Sequence, residues 1–101
     1  MTNPLVLALV SEAAPGSALV AGFEEEGVPL TLQVVDEGDP VGLARKAARE
    51  AALGLGIGGD RERLALVLAA APTRPYLESS ADSARSFAQA AARVAARRPL
   101  R

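Results

Sequence analysis

The apolar positions change period several times along the 101 residues, and each change marks an element. Pro4–Val10 (PLVLALV) is an unbroken apolar run of strand length. Ser11–Gly16 contains Ser, Pro and Gly, which punctuate a turn. Over Pro15–Glu26 the period becomes helical, with Leu19, Val20 and Phe23 as the apolar stripe. Pro15 suits the first turn of that helix, and Gly27 suits its stop. Val28–Val35 (VPLTLQVV) alternates Leu30, Leu32 and Val34, as a strand does. Asp36–Pro40 (DEGDP) is a turn in which Asp39 can cap a helix that has Pro40 at its first position.

Val41–Ala52 is Ala-rich, with Arg45, Lys46, Arg49 and Glu50 on a polar face, and reads as that second helix. Leu53, Leu55 and Ile57 then alternate with Gly54, Gly56 and Gly58, which predicts a strand with one bare face. Gly59–Glu62 is a hairpin-like turn, and Leu64, Leu66 and Leu68 form a further strand. Ala71–Pro75 is a loop, and Tyr76-Leu77 opens a short fifth strand. Ser79 or Ser80 is expected to cap a last helix that runs to about Arg97.

The predicted order is β-α-β-α-β-β-(β)-α, an α/β sandwich with helices packed on a mixed, mainly parallel sheet. The first βαβ unit requires a parallel pair joined by a crossover. The later turns are too short for crossovers and so require antiparallel partners. No linker or repeat divides residues 1–101, so one domain is expected.

Composition narrows the chemistry. There is no Cys and no His. That removes Cys/His zinc centres, disulfides and His-based nucleophilic catalysis. Alanine occupies 22 positions and aromatics only 3%, so the core must be aliphatic and its elements closely packed. No apolar run reaches the ~18–20 residues of a membrane helix. The N-terminus has neither the basic region nor the long apolar run of a signal peptide, so a cytoplasmic location is expected. The net charge of −1 hides an asymmetry: residues 1–60 carry −6 and residues 61–101 carry +5. Two solvated faces of opposite sign, or surfaces for oppositely charged partners, would both account for it.

Three motifs invite a functional reading. Gly54–Gly59 has the letters of a dinucleotide fingerprint, but a helix precedes it and a period-two strand follows. Phosphate binding needs the reverse context, so close approach of another backbone is the better explanation. Arg85, Gln89, Arg93 and Arg97 form a polar stripe on the last helix. Without aromatics around it, the stripe gives little support to nucleic-acid binding; a solvated face, or a small module for an anionic ligand or RNA, stays open.

Glu24-Glu25-Glu26 is the third motif. Acids at the C-terminal end of a helix oppose the macrodipole, so local helix stability does not explain them. On a helical wheel Glu25 lies farthest from the Leu19–Val20–Phe23 stripe, among Ala14, Ala18, Ala21 and Gly22. Such a face suits close contact with another protein through Ala18, Ala21, Gly22 and Glu25. A solvated acidic turn is the alternative. One carboxylate cannot hold Mg²⁺ or Ca²⁺ alone, so any metal there needs ligands from a partner or water. No acid–base or nucleophile constellation stands out, and no enzymatic activity is expected of this chain.

In order along the chain, several segments resemble the small subunit of the reactivating factor for adenosylcobalamin-dependent diol and glycerol dehydratases. Gly22–Pro29 (GFEEEGVP) is similar to that family's G-[IL]-E-E-x-G-[IV]-P. Glu50–Arg61 is similar to its V-G-I stretch, with Gly56-Ile57 at the G-I. Ala71-Pro72 through Tyr76-Leu77, Asp82-Ser83, Ala91–Val94 and Pro99-Leu100 resemble further short segments. The family's Asn before A-A-R is Ala90 here.

The resemblance implies a fold like the dehydratase β (medium) subunit and a non-catalytic, chaperone-like role. It implies a heterotetramer with a large ATPase subunit that binds ATP or ADP. It also implies subunit exchange with the B12-dependent dehydratase, which releases damaged cobalamin. The second Glu of its E-E segment falls on Glu25, and would reach a Mg²⁺ or Ca²⁺ held by the large subunit. No cofactor is expected on this chain alone. Association with a bacterial microcompartment is compatible with the resemblance. A medium-subunit-like component of the dehydratase itself, in contact with cobalamin, is the rival reading.

Overall fold

The computed structural model describes residues 3–97. Pro99-Leu100, and the arginines at 98 and 101, lie outside the described residues. The elements are β1 (Val6–Val10), α1 (Gly16–Glu25), β2 (Thr31–Val34), α2 (Pro40–Glu50), β3 (Leu55–Gly59), β4 (Arg63–Leu68), β5 (Leu77–Ser80) and α3 (Ala84–Ala96). A short 3₁₀ turn, Ala81–Ser83, leads into α3. The sheet order is β2-β1-β3-β4-β5. β1 pairs in parallel with β2 and β3, while β4 is antiparallel to β3 and β5. The sheet is therefore mixed as expected, with parallel pairing confined to the β2-β1-β3 half and antiparallel pairing in the other.

Three layers follow from the two faces of the strands. Val6, Ala8, Val10, Leu55, Ile57, Leu64 and Leu66 point to one face, where Leu19 and Phe23 of α1 and Phe87 of α3 complete the main core. Leu7, Leu9, Ala65 and Val67 point to the other, under Leu43, Ala44, Ala47 and Ala48 of α2. Complete burial of β1 on both faces explains its unbroken apolar run.

The glycine alternation in β3 has a direct physical cause. A Cβ on Gly56 would meet the backbone of α2 at Ala44, Ala47 and Ala48; one on Gly58 would meet Pro40 and Ala44. The bare face of β3 thus lets α2 lie with its own backbone against the strand. This is the close approach expected of these glycines in place of a phosphate loop.

Local signals set the helix ends. Asp39 Oδ2 accepts from the Gly42 amide at 3.0 Å, with Pro40 opening α2. Gly27 has φ +72° and ends α1, with its amide donating to Glu24 O and the Val28 amide to Phe23 O. These are the two reverse bonds of a Schellman ending, and Val28 packs against the main core that holds Phe23. In the β3–β4 turn, Asp60 Oδ1 accepts from both Glu62 and Arg63 amides at 2.8 Å.

Two expectations need correction. Ser79 and Ser80 are strand residues of β5, and neither caps the last helix. Pairing with β4 holds them extended, Arg63 opposite Ser80 and Leu64 opposite Ser79. Pro15 sits at the boundary preceding α1 rather than within its first turn.

Candidate functional site

α1 and α3 lie side by side on one face of the sheet, and their contact is set by a glycine. Gly22 is buried, and a Cβ there would stand 2.5 Å from Ala88 Cβ and 2.6 Å from the Arg85 carbonyl oxygen. The buried residues of α1 are Gly16, Leu19, Gly22 and Phe23, whereas Val20 is only half-buried. The buried stripe is rotated from the Leu19–Val20–Phe23 expectation toward Gly22, because α3 covers that side. Gly22 is therefore not on an outward face. Ala18 is half-buried and packs against the main core, and Ala21 is half-buried.

The close approach brings the two unexplained charge motifs together. Arg85 Nε donates to Glu25 Oε1 and Nη2 to Oε2, both at 2.7 Å. Gln89 Nε2 adds a third bond to Oε1 at 3.2 Å. One helical turn further along α3, Arg93 donates from Nε and Nη2 to the two oxygens of Glu26 at 3.3 Å. Each guanidinium presents two parallel donors to a carboxylate, the geometry that distinguishes Arg from Lys. The Glu25 side chain is 38% exposed and that of Glu26 25%.

Hydrogen bonds from Arg85, its positive charge, and the bond from Gln89 hold the Glu25 carboxyl below its usual value, against partial desolvation. The same pairing raises Arg85. The acids that oppose the α1 macrodipole are thus matched by cations from α3. Glu24 is exposed. Arg97, the last member of the stripe, ends α3 and joins no ion pair among the described residues.

The charge asymmetry is in part internal. The pairs Arg85–Glu25, Arg93–Glu26 and Arg61–Glu12 each join a base of the second half to an acid of the first. What sequence reasoning missed was Arg85 and Gln89 as partners of Glu25. The signal was present: an i, i+4, i+8 stripe opposite in sign to two consecutive acids. Reading it requires knowing that α1 and α3 share a sheet face.

For a divalent cation the donor set is incomplete. No group of three or more Asp, Glu, His or Cys residues that could hold a metal occurs among the described residues. Mg²⁺ and Ca²⁺ require about six or more oxygen ligands. Glu25, whose two oxygens already accept from Arg85 and Gln89, does not make a metal site on this chain alone.

The model of the dehydratase medium subunit family matches residues 3–101. The chain belongs to the dehydratase medium subunit family. The match begins at Asn3, ahead of the Gly22 segment that carried the resemblance. This family member is also similar to a chain in a solved structure of diol dehydratase-reactivating factor complexed with ADP and Mg²⁺. The two share 26% identity with a TM-score of 0.82, over 100% of this chain and 99% of the other. A search of individually curated proteins gave no match. Family and fold both agree with the resemblance read from Gly22–Pro29 onward. No helix among the described residues is long and apolar enough to cross a membrane.

Proposed function

We propose that this chain is the non-catalytic small subunit of a reactivating factor for an adenosylcobalamin-dependent diol or glycerol dehydratase. The observation that carries this is the similarity, end to end in both chains, to a chain of the reactivating factor solved with ADP and Mg²⁺. The medium-subunit family alone would accommodate a structural subunit of the dehydratase equally well, since one fold serves both roles.

In this reading the chain assembles with a large ATPase subunit, in a heterotetramer, and nucleotide binds the partner. The factor exchanges this subunit with the dehydratase, whose medium subunit has the same fold. Damaged cobalamin leaves the loosened enzyme, and intact cofactor enters. Nucleotide that binds one assembly more tightly than the other is sufficient to shift the population between them. Glu25 supplies one carboxylate to a Mg²⁺ or Ca²⁺ whose other ligands lie on the large subunit, and half-buried Ala18 and Ala21 lie on the same stretch of α1. The site is cytoplasmic.

The test is co-purification with the large subunit in Mg²⁺ and in chelator. Glu25→Ala should weaken association in Mg²⁺ and abolish the effect of chelator. Equal retention of wild type and variant, with or without metal, would rule out the metal bridge. A cobalamin-loaded catalytic subunit as the copurifying partner would favour the dehydratase reading.

A further inference from the structure

The three helices divide unevenly between the two sheet faces. α1 and α3 cover one, while α2 packs on β1, β3 and β4 on the other. β5 is left at the edge of that second face. Leu77 packs on the main core, so Glu78 and Ser80 point to the α2 side, and both are exposed. Tyr76 continues the alternation and is 57% exposed. One apolar side chain at a surface needs no explanation by itself. Its surroundings do.

Residues 1–60 carry −6, and their only three bases, Arg45, Lys46 and Arg49, all lie on α2. Arg45 reaches across to the β4–β5 loop, where Nε donates to the Pro72 carbonyl at 2.7 Å and Nη2 to the Thr73 carbonyl at 3.4 Å. Arg74 is the next residue of that loop, two positions before Tyr76. Arg49 lies one helical turn beyond Arg45 on the same flank of α2, and Lys46 and Glu50 share the other flank. Arg49 and Arg74 are exposed, and Arg45, Arg49 and Arg74 join no ion pair among the described residues. On the α1–α3 face, by contrast, Arg85 and Arg93 each meet a carboxylate.

The loop carbonyls order the Arg45 guanidinium without neutralising it. Two of its N–H donors are used, and the others remain for a ligand. The side-chain entropy that binding normally costs is already lost on folding. An ordered guanidinium, two more without counter-ions and an exposed tyrosine make up the composition of a protein-binding hot spot. Guanidinium forks match carboxylates. We propose that Arg45, Arg49, Arg74 and Tyr76 dock an acidic segment of a partner protein, with its neighbouring carboxylates on the arginines. A single aromatic side chain offers no platform on which successive bases could stack, which favours carboxylates over nucleic acid. The surface lies across the sheet from Glu25 and stands independently of the contact proposed for α1.

Tyr76 is the chain's one tyrosine and there is no tryptophan, so intrinsic fluorescence reports this surface alone. The full chain is titrated at low salt with short poly-L-glutamate, and in parallel with a single-stranded oligonucleotide of equal charge, following Tyr76 emission and backbone amide NMR shifts. Poly-L-glutamate should bind saturably, shift the amides around Arg45, Arg49 and Arg74, and lose affinity as salt rises. Arg49→Gln and Arg74→Gln should each weaken binding about two- to fivefold, and the double variant about tenfold. Arg97→Gln, an unpaired base on α3, should leave it unchanged. Both substituted arginines are exposed, and circular dichroism checks that each variant folds. No response in either signal, or equal affinity in the double variant, would overturn the proposal. Tighter binding of the oligonucleotide at the same residues would overturn it in favour of a nucleic-acid ligand.

Discussion

Replacing Gly22 with alanine tests the contact on which the site is built. The added methyl would sit 2.5 Å from Ala88 Cβ and 2.6 Å from the Arg85 carbonyl oxygen, against 3.4–4 Å for ordinary contact. The helices must therefore separate by about 1 Å, because a backbone carbonyl cannot rotate aside as a flexible side chain can. Overpacking of this kind costs about 1–3 kcal/mol. Alanine in place of glycine within a helix returns about 1 kcal/mol of helix propensity. With one of the two clashes on backbone, the net expected loss is ~1–2 kcal/mol.

For a domain of this size that is a fall in Tm of roughly 5–15 °C. The same displacement moves apart the backbones that carry Arg85 and Glu25 and should weaken their 2.7 Å bonds. Thermal unfolding gives the first quantity, and NMR of the Arg85 Nε–H resonance gives the second. A variant as stable as wild type, or more so, would mean that propensity outweighs packing and that Gly22 does not set the α1–α3 distance.

Three further predictions concern other parts of the molecule. Gly58→Ala places a methyl into the α2 backbone at Pro40 and Ala44; it should cost about 3 kcal/mol or more, and a variant with wild-type Tm would refute the close approach. Asp39→Ala removes the side-chain acceptor for the Gly42 amide and should lower stability by about 1 kcal/mol in urea denaturation, while Asp39→Asn should lose much less. Arg85 holds the Glu25 carboxyl below the ordinary 4.5. The stabilisation from this pair is therefore present above that pH and is lost as pH falls through the lower folded value. Carboxyl ¹³C NMR should show the Glu25 midpoint below 4.5 in wild type and moved back toward it in Arg85→Gln; an unmoved midpoint would separate the shift from Arg85.

Much of the fold was legible because local signals and the two faces of each strand agree. The unbroken run in β1, the Asp39-Pro40 start of α2 and the alternating glycines of β3 each favour one structural explanation once their flanking elements are considered, and the structure contains it. Ser79 and Ser80 misled because their hydroxyls suit a cap, and only pairing with β4 shows that they are extended. The site was legible in part. The odd placement of three acids at a helix C-terminus, with Glu25 farthest from the apolar stripe, singled out Glu25, and the last helix showed a polar stripe of Arg85, Gln89, Arg93 and Arg97. Their pairing joins residues 60 and 67 positions apart, and no periodicity within either helix encodes it. The wheel placed Gly22 outward because it scores side chains, and glycine has none. Its burial comes from absence of bulk, which lets a second helix in.

As the small subunit of a reactivating factor, this chain would be needed to restore an inactivated dehydratase. The direct measurement mixes the chain and its large ATPase subunit with cobalamin-inactivated diol or glycerol dehydratase, ATP, Mg²⁺ and fresh adenosylcobalamin, and follows dehydratase activity and cobalamin release. Activity should return, and damaged cobalamin should appear in the filtrate, only when both subunits are present. Failure of the assembled pair to restore activity, or cobalamin-dependent turnover by an assembly containing this chain as a dehydratase subunit, would contradict it.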